Sequence, residues 1–81
     1  MKTSVEISYY PLREQFVDPI IGFIKRMNEY PGLEVRTNGM STQLFGEYDV
    51  VMQALTKEMR TAFETPFSVF VMKVVNADLS K

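Results

Sequence analysis

Leu33-Glu34-Val35-Arg36-Thr37-Asn38-Gly39-Met40-Ser41-Thr42-Gln43-Leu44-Phe45-Gly46 lies midway along the 81-residue chain. Leu33, Val35 and Thr37 alternate with Glu34, Arg36 and Asn38; Met40, Thr42 and Leu44 then alternate with Ser41, Gln43 and Phe45. A period of two sends successive side chains to opposite faces of a strand, and Asn-Gly between two such runs is a strong two-residue hairpin signal. The stretch predicts a β-hairpin that ends at Gly46. What lies on either side of it decides the fold.

Upstream, Ile20, Ile21, Ile24 and Met27 recur at helical spacing, with Lys25, Arg26 and Glu29 on the solvent side and Pro31-Gly32 as the stop. Asp18 is the expected N-cap and Pro19 the first helical residue. Earlier still, Val5, Ile7 and Tyr9 alternate with Ser4, Glu6 and Ser8, a strand ending at Tyr10, on the polar face, before Pro11. Downstream, a second helix is expected from Glu47 to Asp49 onward, its acidic residues read as capping groups. Val51, Leu55, Met59 and Ala62 form its apolar stripe, with Lys57, Glu58 and Arg60 elsewhere.

After Glu64-Thr65-Pro66, the run Phe67–Val75 is apolar on both faces. Phe67, Val69 and Val71 make one row, Phe70, Met72 and Val74 the other, with Lys73 read as a snorkelling edge residue. A chain this short has no third layer for the second row, so a homo-oligomer, a dimer or a dimer of dimers, is expected, with Phe70 and Met72 as residues whose replacement by Lys would break it. The tail Asn76–Lys81 reads as frayed. The order predicts a single domain, residues 1–81: an α+β, ferredoxin-like βαββαβ sandwich whose four-stranded antiparallel sheet, in the order 4-1-3-2, carries two helices on one face.

Composition narrows the function. Nine Lys and Arg against ten Asp and Glu leave a net charge of -1, which gives no support for a nucleic-acid surface. Cysteine and histidine are both absent, which removes disulfides, thiolate metal ligands and the usual near-neutral general base. No metal site, no resident cofactor and no catalytic residue is expected. No apolar run reaches the roughly 20 residues of a membrane helix, and Lys2 and Glu6 interrupt any signal-like start, so a cytoplasmic protein without membrane insertion is expected.

The predicted layout brings Tyr10 to the hairpin and the start of the second helix. Thr37, Asn38, Ser41 and Thr42 then offer three hydroxyls and an amide that both donates and accepts, enough to pair with the edge of a heterocycle. Taken singly, each has a structural explanation; Asn38 in particular suits a turn position with positive φ. Met40 is a further candidate for the pocket wall.

These residues also carry a resemblance. Ile7-Ser8-Tyr9-Tyr10-Pro11-Leu12, Pro19-Ile20-Ile21-Gly22-Phe23-Ile24 and Thr37 through Asp49 resemble the YkoF-type thiamin/hydroxymethylpyrimidine-binding domains in their short single-domain form. The resemblance implies a paired ferredoxin-like domain that binds thiamin or its hydroxymethylpyrimidine moiety without turnover. Its site residues would be Tyr10, Thr37, Asn38, Ser41 and Thr42. It also implies an Asp in tandem members where this chain has Asn38, a side chain that cannot carry the charge. Two other readings follow from the fold. One is an ACT-like regulatory or oligomerisation module, for which Arg36 is the one cation near the cluster. The other is a small cofactor-independent enzyme of the dimeric ferredoxin-like class.

Overall fold

The computed structural model describes residues 1–81. The elements run β1 (Lys2–Pro11), α1 (Val17–Met27), β2 (Glu34–Thr37), β3 (Thr42–Glu47), α2 (Tyr48–Ala62) and β4 (Ser68–Val75). The strands form one antiparallel sheet in the order β2-β3-β1-β4, which is the expected 4-1-3-2 arrangement, with β1 and β3 central. Val5, Ile7 and Leu44 on the sheet meet Phe23 and Met27 of α1 and Val51, Ala54 and Leu55 of α2 in one continuous core.

Several local expectations shift. Helix α1 begins at Val17, two residues before the expected start at Pro19: Phe16 is the N-cap residue, no side chain caps it, and Asp18 lies in the first turn. Pro19 is tolerated there because the first-turn N–H groups have no intrahelical acceptor. The inward face also differs from the expected stripe: Phe23 is buried while Ile21 is 57% exposed. The apolar face is therefore Ile20, Phe23, Ile24 and Met27, a three-and-four spacing that leaves Ile21 outside.

The hairpin is longer than two residues. The last paired position is Thr37 with Thr42, leaving residues 38–41 as the connection. Asn38 N–H donates to the Ser41 carbonyl at 3.1 Å, and the Asn38 side-chain oxygen accepts from the N–H groups of Met40 and Ser41 at 2.7 and 3.0 Å. Asn38 does not have positive φ; Gly32, at φ +80°, is the one residue that does. Asn38 thus makes the turn with its side chain. Gly46 has a separate requirement: an added Cβ would stand 2.8 Å from the Gly32 carbonyl oxygen.

Helix α2 starts at the opposite end of the sheet from the hairpin. Lys2 pairs with Glu47, and Tyr48 N–H donates to the Met1 carbonyl at 2.9 Å, so the predicted approach of the second helix start to Tyr10 does not occur. Glu47 does not cap with its side chain; its carboxylate pairs with the Met1 amino group at 2.9 Å and with Lys2 at 3.4 Å. Glu58, expected outside the apolar stripe, is 3% exposed and takes bonds from Arg26 and Tyr30.

In β4, Phe70 and Met72 face the helices; Val69 and Val71 lie on the open face of the sheet. The row expected at a subunit contact is therefore the inner one, and substitution at Phe70 would strike the core. The tail is tied down. The Ser4 hydroxyl donates to the Ala77 carbonyl at 2.6 Å and accepts from Leu79 N–H at 2.9 Å, and Arg36 donates to the Ser80 carbonyl at 2.5 Å.

Candidate functional site

The pocket arises from a mismatch in strand length. β1 continues to Pro11 against β4, but its pairing with β3 ends at Ile7–Thr42. Beyond that point β1 and the hairpin diverge, and the N-terminal half of α1 spans the gap. The result is a cavity of about 420 Å³, within the range of small-molecule sites. Tyr9, Phe23 and Ile24 make its apolar interior, with Leu12, Phe16 and Met40 at the mouth. Tyr9 is held in place by stacking on Phe70 at 4.4 Å between centroids and by a hydroxyl contact with Ser68 at 3.3 Å.

Tyr10, Thr37, Asn38, Ser41 and Thr42 all border this one cavity, as does Met40, which is 87% exposed. Their polar groups are unequally available. Ser41 donates its hydroxyl to Glu6 at 2.9 Å, and Glu6 pairs with Lys73 at 3.0 Å. These two contacts, Lys73 first, hold the Glu6 carboxyl below its usual range. The side-chain oxygen of Asn38 is committed to the turn, so its amide has a donor to offer and no free acceptor. The Thr37 and Thr42 hydroxyls have each other, at 3.5 Å, as their side-chain hydrogen-bond partner. The Tyr10 ring is 51% exposed and makes no side-chain hydrogen bond.

No charged side chain lines the cavity. Arg36, the one cation expected near the cluster, lies over the Phe45 ring at 5.0 Å and bonds Glu34 and the tail instead. It gives the pocket no carboxylate-binding group. Ser8, Leu12, Phe16, Ile20 and Phe23 also border the site and were not anticipated. Ile20 and Phe23 carried a legible signal in the three-residue spacing within α1; Leu12 and Phe16 sit in a connection with no periodicity to read.

No protein-family model matches the chain, and no curated protein matches it. Solved structures do. A hypothetical protein of Methanocaldococcus jannascii superimposes with TM-score 0.81 at 24% identity, over 99% of this chain and 84% of the other. A candidate thiamine biosynthesis/salvage protein of Thermotoga maritima gives TM-score 0.84 at 18% identity, over 95% and 85%. A domain of unknown function, DUF77, from Bacillus cereus gives 0.79 at 14% identity, over 98% and 79%. These likenesses establish the fold: the chain is a small α+β protein of the ferredoxin-like class. No helix is long and apolar enough to cross a membrane.

Proposed function

We propose that the chain is a non-enzymatic, cytoplasmic binding protein for thiamin or its hydroxymethylpyrimidine moiety, acting as a homo-oligomer. The observation that carries the reading is the cavity itself, with an aromatic and aliphatic interior under a lip of neutral hydrogen-bonding groups. An apolar slot takes the faces of a flat ring, and the lip reads its edge. The Asn38 amide N–H would donate to a ring nitrogen, and the Thr37–Thr42 hydroxyls would meet the amino group. The thiamine biosynthesis/salvage description of the Thermotoga maritima protein, which shares the fold, supports the same ligand class.

The lack of a lining carboxylate favours the neutral pyrimidine over the cationic thiazolium as the buried part. It also leaves the pocket without a proton donor or acceptor of carboxylic type, which supports binding without turnover. The exposed row of Val69 and Val71 on the open sheet face supports the oligomer. Calorimetry with thiamin and with hydroxymethylpyrimidine tests the ligand: saturable binding is expected, tighter for the free pyrimidine, and no heat with either at millimolar concentration overturns the reading. Light scattering tests the assembly, with a mass above 9.4 kDa expected.

A further inference from the structure

Ser41 borders the candidate pocket, and its one hydroxyl proton is already placed: it goes to the Glu6 carboxylate at 2.9 Å. Glu6 itself stands outside the cavity, on β1 beside Lys73 of β4, with which it pairs at 3.0 Å. Lys73, then Ser41, hold its carboxyl below the usual range, so it is an ion with no proton to return. A hydroxyl has one proton and two acceptor sites, and a bond to a carboxylate is among the stronger ones it makes. Ser41 therefore has lone pairs to offer a ligand and no proton.

Asn38, at the other end of the same connection, has the opposite sense. Its side-chain oxygen is engaged by the N–H groups of Met40 and Ser41 at 2.7 and 3.0 Å, which leaves its amide nitrogen to donate. The remaining hydroxyls of the lip are not fixed in this way. Ser8 donates to the Met40 carbonyl at 3.3 Å, a long and exposed bond, and in the Thr37–Thr42 pair either oxygen could be the donor. Those groups turn to suit what they meet; Ser41 and Asn38 do not.

We propose, resting on the pyrimidine reading above, that Ser41 and Asn38 select a ring bearing an amino group beside an unprotonated ring nitrogen over its deaminated, oxo counterpart, and that Glu6 is the positioning residue that sets this preference from outside the cavity. The amino group donates one hydrogen to Ser41 Oγ and leaves the other for the Thr37–Thr42 pair, while the ring nitrogen accepts from Asn38. In the oxo form both senses reverse. Its carbonyl oxygen faces the Ser41 lone pairs, and its ring N–H faces the Asn38 N–H. Two like groups brought face to face reject a ligand as well as withholding bonds from it.

The test is calorimetry of the intact chain with hydroxymethylpyrimidine and, in parallel, with the analogue in which an oxo group replaces the ring amino group. The amino form is expected to bind about tenfold tighter or more. Glu6→Ala, its fold checked by amide dispersion, frees the Ser41 proton and should reduce that ratio several-fold. Glu6→Gln, which keeps an acceptor for Ser41, should reduce it less. Ser41→Ala, which removes the acceptor itself, should reduce the ratio too, mainly by weakening the amino form. A purely structural role for Glu6 would weaken both ligands alike and leave the ratio unchanged, which would overturn the proposal. Equal binding of the two ligands by the native chain would also overturn it while leaving the pyrimidine pocket standing. Binding of neither would overturn it together with the function on which it rests.

Discussion

Arg26 on α1 donates its Nε–H to the buried carboxylate of Glu58 on α2 at 2.5 Å, joining the two helices through a charge that the core would not otherwise accept. The other carboxylate oxygen accepts the Tyr30 hydroxyl at 2.7 Å, so both oxygens are satisfied. A desolvated carboxylate is stable only when bonded in this way, and the three residues act as one unit.

Removing the carboxylate should therefore cost more than a surface ion pair does. Glu58→Ala is expected to lose about 2–4 kcal/mol in urea denaturation, short of the largest buried-pair losses because Arg26 keeps contact with water. Glu58→Gln, which can still accept from Tyr30, should lose less. A loss within experimental error for Glu58→Ala would contradict the buried network.

Tyr30 supplies a pH dependence. Burial, then the bond to the Glu58 carboxylate, raises its hydroxyl from 10.0 to about 12. The protonated phenol is the form that folding favours. Its contribution is fully present below pH 10 and is lost as pH rises from 10 towards 12. Denaturant midpoints should fall across that window in the native chain and fall less in Tyr30→Phe, with tyrosinate absorbance showing one late-titrating phenol that the variant lacks.

Asn38 separates turn-making from recognition. Asn38→Ala leaves the Met40 and Ser41 amides without their acceptor and should cost about 1 kcal/mol of stability. Asn38→Asp keeps that acceptor and should preserve the fold, but it removes the N–H offered to the ligand. Pyrimidine binding by Asn38→Asp should weaken near neutral pH and recover as pH falls towards protonation of the ring. The native chain should show no such recovery; calorimetry across pH distinguishes the two.

Thr3 has a fully buried hydroxyl with no partner. Thr3→Val retains the branched shape and removes the unsatisfied group, so it should stabilise the chain by about 0.5–1.5 kcal/mol. Thermal unfolding would show a raised midpoint. A lowered one would mean that the hydroxyl has a partner.

Much of this was legible in the sequence because it depends on local periodicity. Alternation in residues 4–10 and 33–45 and the three-and-four spacing of residues 51–62 determined the element order, and handed crossovers then left few ways to arrange the sheet. The candidate lip was legible too, since residues 37–42 are contiguous and Tyr10 ends a neighbouring strand. Periodicity cannot report which polar atoms are already engaged. Asn38 was legible as a turn residue but not the engagement of its side-chain oxygen by two backbone N–H groups, nor the bond from Ser41 to Glu6. Nor could spacing show that Glu58 is buried, because a carboxylate on the apolar stripe is acceptable only with Arg26 and Tyr30, both distant in sequence, folded onto it. The sequence by itself determined the order of the elements and the faces they turn to one another. Tertiary structure alone decided the pocket, because its volume comes from where β1 outruns β3, a relation between strands that no single segment contains.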